Sequence, residues 1–257
     1  MPVPSRARPG RYGCLVPLVA AAVCPHPPLL VPEIAGAAAP ELNDLRAACD
    51  TAVARLLDSG ARTVLLIGAG DRSAEVDLPF RGSLAPWGVP LEVRLGSHPD
   101  RRAASDLPLS LLVAAWLLGR RPVARTGDTG WRMRTVGADE PVETCADLGA
   151  RLGSEQPWAL LVSGDGSACR GEQAPGYADP RAEAYDDGVA RALADADTEA
   201  LLGLDPELSA QLKVAGRAPW QVLSGAVRAA GGDWHGELGY YAAPYGVAYF
   251  VASWARR

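Results

Sequence analysis

A single three-layer α/β/α domain built around a mixed β-sheet is the fold class this sequence predicts, and three observations predict it. Apolar runs bounded by Gly or Pro, such as Thr63-Val64-Leu65-Leu66-Ile67 and Trp158-Ala159-Leu160-Leu161-Val162-Ser163, have the continuity of strands buried on both faces. They alternate with helical segments of amphipathic spacing, the order expected when helices cover both faces of a sheet. The chain of 257 residues, 48% of them hydrophobic, is long enough to bury a substantial core in one domain spanning 14–257.

Residues 1–13, rich in Pro, Arg and Gly, read as a disordered leader. The first expected strand is Leu15 to Val23. With Arg6, Arg8 and Arg11 before it and Ala20-Ala21-Ala22 near its end, this stretch imitates a secretory signal. Pro17 interrupts it, however, and a run of about ten residues falls well short of the ~20 needed to span a bilayer. Were it a signal, cleavage near Ala22 would leave His26 in a loose new terminus.

A helix is expected from Pro40 to Ser59. Pro suits a first turn, Gly60 suits the stop, and Leu42, Leu45, Cys49, Val53, Leu56 and Leu57 fall on one side. Thr63 to Ile67 is the second strand, ending in Gly68-Ala69-Gly70-Asp71. The segment with Pro79, Gly82, Pro86, Gly88 and Pro90 is too punctuated for a helix, so it reads as loop with a short strand at Leu91 to Leu95. Leu107 to Leu118 is helical, Trp131 to Val136 a strand, Val142 to Leu152 a short helix and Trp158 to Ser163 a central strand. Pro180 to Ala194 and Pro206 to Val214 read as helices capped by Asp179 and Asp205. Another helix begins near Pro219 and stops before Gly231-Gly232, and Tyr245 to Trp254 closes the chain as an aromatic-rich strand.

A net charge of −5, with Lys and Arg scattered, lacks the footprint of a nucleic-acid binder. No run is long enough to imply a membrane span. The five cysteines, Cys14, Cys24, Cys49, Cys145 and Cys169, show neither CxxC spacing nor a secreted framework, so they read as buried small hydrophobes of a cytoplasmic protein.

Cys24-Pro25-His26-Pro27-Pro28-Leu29-Leu30-Val31-Pro32 is the chain's most informative stretch. Prolines stiffen the backbone around a lone histidine placed directly after a buried strand, and open α/β sheets put their chemistry at such carboxyl ends. The plainer alternative is a histidine capping a rigid surface turn. Gly68 to Ser73 invites a dinucleotide or S-adenosylmethionine reading, but the prolines that follow deny it the required helix. Gly164-Asp165-Gly166-Ser167 has neither a phosphate loop's GK[ST] nor a GxSxG elbow. Cys169 is a nucleophile only if a basic neighbour lowers its pKa. His98 and His235 read as surface loop residues.

Ala21-Ala22-Val23-Cys24-Pro25-His26-Pro27-Pro28-Leu29-Leu30 resembles the class III extradiol dioxygenases, typified by the β-subunit of protocatechuate 4,5-dioxygenase. More narrowly, the chain resembles the actinobacterial proteins of the class III extradiol dioxygenase β-subunit-like type. The Gly164 to Gly171 turn, Ala215 to Gln221 and Ala243 to Phe250 also carry the resemblance. It implies an oxidoreductase whose non-haem Fe(II) is held by two histidines and a glutamate, with another histidine as acid/base. His26 matches the first ligand. The second falls on Gly70 or Asp71, the glutamate on Gln221, and the acid/base histidine near Ala168 or Cys169.

Exchanging imidazole for carboxylate and carboxylate for amide weakens an iron site, and losing the acid/base group costs about 10² to 10⁴ in rate. Ring cleavage is therefore not the expected activity. The expectation is a strand-end pocket for a small polar or aromatic molecule, with His26, Asp71 and Gln221 weakly holding a divalent metal and Asp165 and Cys169 nearest the chemistry. The alternative is a non-catalytic ligand-binding or scaffolding protein on a lost active site. The resemblance further implies a homo-oligomer.

Overall fold

A computed structural model describes residues 18–78, 80–96, 107–121 and 129–257. The proposed leader, the start of the first strand and His98 lie outside them. The strands are β1 (Leu18–Cys24), β2 (Thr63–Gly70), β3 (Ala74–Val76), β4 (Phe80–Ser83), β5 (Glu92–Leu95), β6 (Gly130–Gly137), β7 (Trp158–Ser163), β8 (Trp234–Ala242) and β9 (Tyr249–Arg256). The helices are α1 (Pro32–Ala35), α2 (Asn43–Leu57), α3 (Leu109–Gly119), α4 (Val142–Ala150), α5 (Ala182–Asp195), α6 (Thr198–Leu202), α7 (Pro206–Gln211) and α8 (Arg217–Ala230).

Seven strands form one mixed sheet in the order β3-β6-β2-β7-β1-β9-β8, and β4 pairs with β5 in a separate ribbon. The four central strands β6, β2, β7 and β1 run parallel, with Gly68 opposite Ser163 and Ser163 opposite Cys24. Their carboxyl ends therefore share one edge. β9 runs antiparallel to β1, which brings its amino end to that same edge.

Alternate strand residues feed two apolar clusters. Val23, Leu65, Ile67, Leu160 and Val162 pack with α4, α5 and α8 on one face, whereas Ala22, Leu66, Ala159 and Leu161 pack with α2 and α3 on the other. This is the α/β layering that the alternation of apolar runs predicts. The four described cysteines are free and buried. No helix among the described residues is long and apolar enough to cross a membrane.

The structure departs from the sequence reading at four places. Pro40 lies in a 3-10 turn, Gly36–Leu42, and the α-helix begins only at Asn43, because a proline removes a backbone donor inside the turn. The segment from 74 to 83, read as loop, holds two short strands. His235 sits not in a loop but in edge strand β8, whose half-exposed pattern and register shift between Leu238 and Tyr240 hide it from periodicity. The closing strand begins at Tyr249 because a turn at Pro244–Gly246 precedes it.

Candidate functional site

The strand-end edge brings His26 and Asp165 together. His26 follows β1 and Asp165 follows β7, and the backbone N–H of His26 donates to Asp165 Oδ1 at 2.8 Å. The imidazole Nδ1 lies 3.6 Å from that same oxygen. This is beyond hydrogen-bonding reach but within that of an ion pair once the ring is protonated. His26 is 8% exposed, and its Nδ1 is sealed from solvent without a hydrogen-bond partner. The 11% of the side chain that is exposed therefore lies elsewhere than at Nδ1.

The segment holding Asp165 is pinned on both sides. Gly164 N donates to Cys24 O, Gly166 N to Ala248 O, Ala248 N to Ser167 O, and Gly216 N to Asp165 O. Gly166 is glycine because a Cβ there would stand 2.6 Å from the Phe250 ring and 2.9 Å from Asp186 Oδ1. Buried Asp186 accepts from Ser167 N at 2.9 Å and Ser167 Oγ at 2.5 Å. Arg170 Nη1 lies 3.4 Å from its second oxygen.

Burial raises the Asp165 pKa, and the opposing pull of His26 offsets this only in part. A carboxyl whose pKa is higher in the folded than in the unfolded chain stabilises the fold below its unfolded pKa and loses that contribution as pH rises through the folded value. Asp165→Asn is therefore expected to stabilise the protein at neutral pH, the gain closing as pH falls into the ordinary carboxylate range. Thermal melts across pH check this.

Tyr249 is a third group at the edge. It opens β9, directly after Ala248, whose backbone pairs with Gly166 and Ser167 beside Asp165. Burial and then the nearby Asp165 charge push its phenol up, so it stays a neutral donor at neutral pH. Sequence reasoning missed it, although it lies in the Ala243 to Phe250 motif. The Ser163 hydroxyl at the end of β7 is likewise buried without a hydrogen-bond partner.

The other expected site residues do not join this pair. Asp71 is exposed and lines a cleft of about 710 Å³ beyond β2 and β6, with Arg72, Glu75, Trp87 and Thr135. Cys169 is buried, and its sulfur donates to Gly176 O and Leu212 O, each at 3.5 Å. Burial raises its thiol, which leaves it protonated rather than nucleophilic.

Both ends of the Gln221 amide are committed. Its Oε1 accepts from Arg217 Nη1 at 3.0 Å, and its Nε2 faces the carbonyls of Leu201, Leu202 and Leu204 at 3.4, 3.3 and 3.1 Å. Position 221 thus demands a group that both accepts and donates. Gln221→Glu, which restores the carboxylate of an iron site, turns an acceptor toward three carbonyls. It is expected to cost about 1–3 kcal/mol despite the adjacent Arg217, as measured by urea denaturation.

Among the described residues no group of three or more His, Cys, Asp or Glu side chains is arranged to hold a metal ion. With Gln221 occupied and Asp71 on a separate cleft wall, the residues present do not fit an iron triad. The arrangement offers a proton acceptor on His26, a carboxylate that compensates its charge and a phenol donor near that carboxylate.

No family model matches the chain, and no curated protein matches it. Among solved structures it is similar to an uncharacterized protein, JW3007, from Escherichia coli K12. The two share 14% identity over 92% of this chain and 99% of that chain, with a TM-score of 0.53. At that identity the likeness is one of fold alone, an α/β architecture with a mixed sheet.

Proposed function

We propose that this chain is a divergent protein of class III extradiol dioxygenase-like architecture. It binds a small polar or aromatic molecule at the carboxyl ends of its central strands through His26 and Asp165. The observation that carries the reading is the enclosed imidazole, whose Nδ1 faces a carboxylate and makes no hydrogen bond within the fold. A buried polar group left unpaired costs about 1–3 kcal/mol, and such costs persist where a site uses them. Held in this orientation, His26 presents Nε2 to accept a hydroxyl or amino proton, while Tyr249 donates. The commitments of Gln221 and Cys169 support binding without the ring cleavage of the resembled family.

Phenol is the minimal probe, and diethyl pyrocarbonate is the reporter of histidine access. Phenol is expected to slow carbethoxylation of His26 saturably while His235, on the edge strand, reacts at an unchanged rate. Equal rates at His26 with and without phenol would overturn the reading.

A further inference from the structure

Helix α3 carries no charged residue from Leu109 to Gly119 and is apolar around its whole circumference apart from Ser110. A helix of this kind needs cover on every side. The sheet covers it through β2 and β7, and the β4–β5 ribbon covers it through β5. At one end the cover is incomplete. A cavity of about 550 Å³ is lined by Trp116 and Gly119 of α3, Arg120 directly after it, Leu95 of β5 and Trp131 of β6. Both indoles pack on the apolar cluster of this face of the sheet, yet each is only partly buried. At Gly119 a Cβ would meet nothing within 4 Å, so the space is open up to the helix backbone.

The charges in the wall are already matched. Arg120 donates to the two oxygens of Asp50 at 2.9 and 2.7 Å, and its guanidinium lies over the Trp116 ring, 5.0 Å from the centroid. Arg94 donates to Glu92 at 2.7 Å. Glu33 is the fourth charged group of the wall, and its carboxylate repels an anion as the two guanidinium groups repel a cation. Cavities of this size, mainly apolar and aromatic with a few fixed polar groups, are the common form of a small-molecule site.

We propose that this cavity binds an uncharged, flat aromatic molecule, stacked on Trp131 and on the Arg120–Trp116 pair. Ring faces and a guanidinium plane held in place supply the attraction. A charged relative finds no unmatched partner there and loses its hydration on entry. Neither His26 nor Asp165 lines the cavity, so the site is separate from the strand-end pocket and does not depend on that reading.

N-Phenyl-1-naphthylamine, an uncharged aromatic dye that brightens in apolar surroundings, is the probe. The parent protein is expected to brighten it saturably. Gly119→Leu, which sets a side chain into the cavity where no neighbour stands, is expected to weaken binding by about tenfold or more while melting at or above the parent temperature. Trp131→Ala, which removes a stacking face, is expected to weaken it by about tenfold. Saturating dye is expected to leave carbethoxylation of His26 at its unchanged rate. No saturable brightening by the parent protein overturns the proposal. Dye that slows the reaction of His26 places its binding at the strand ends and overturns it as well. An affinity unchanged in Trp131→Ala overturns it whatever Gly119→Leu does, so a folding defect in the glycine variant does not leave the question open.

Discussion

Gly149→Val is expected to cost more than about 3 kcal/mol, a large part of the stability of an ordinary domain. A Cβ at this position would lie 2.0 Å from Val222 O and 2.7 Å from Ala226 N, and neither backbone atom has anywhere to go. The contact is reciprocal, since a Cβ on Gly225 would meet Ala146 O at 2.1 Å. Helices α4 and α8 thus touch backbone to backbone. The effect reaches the site, because Gly216 at the start of α8 donates to Asp165 O, so pushing α8 outward pulls at the segment that holds the carboxylate. Gly119, around which nothing lies within 4 Å, is the control. Its alanine variant is expected to stay within about 1 kcal/mol of the parent. Urea denaturation of both variants measures the contrast.

Asp186→Ala is expected to cost about 3–5 kcal/mol. The carboxylate is fully buried and accepts the Ser167 N–H and hydroxyl while facing the Arg170 guanidinium. Its removal leaves those donors unpaired in a region that water does not reach. Asp186→Asn keeps one acceptor oxygen for Ser167 N and is expected to lose markedly less. Because Ser167 is two residues from Asp165, the alanine variant is also expected to speed carbethoxylation of His26. A small loss of stability with unchanged His26 reactivity would show that this network does not hold the site.

The layering of the fold was legible in the sequence because its information is local. Strands of four to eight apolar residues buried on both faces leave a signal that needs no partner to be read, and β2 and β7 appear nearly where the runs place them. β8 was not legible, since an edge strand with one face in water and a register shift presents no continuous apolar run. At the site, the position of His26 after β1 and of Asp165 after β7 followed from the same runs, but their approach depends on strand order, which no local pattern encodes. Gln221 shows the limit most clearly. Alignment with an iron-binding glutamate suggested a ligand, whereas the three carbonyls facing its amide come from the turn after α6 and from α6 itself, elements visible only after folding. Tyr249 needed the pairing of Ala248 with Gly166 and Ser167 to be brought near Asp165.

The central claim is that His26, oriented by Asp165, receives a ligand at the strand ends. Histidine-selective NMR with ring-labelled histidine tests it most directly, because the sequence holds three histidines and the signal of each is assigned by substitution. On titration with phenol, the His26 ring resonances are expected to shift saturably, the His235 resonances to stay fixed, and Asp165→Ala to abolish the response. A His26 signal that ignores phenol, or that shifts identically with and without the Asp165 carboxylate, would contradict the account.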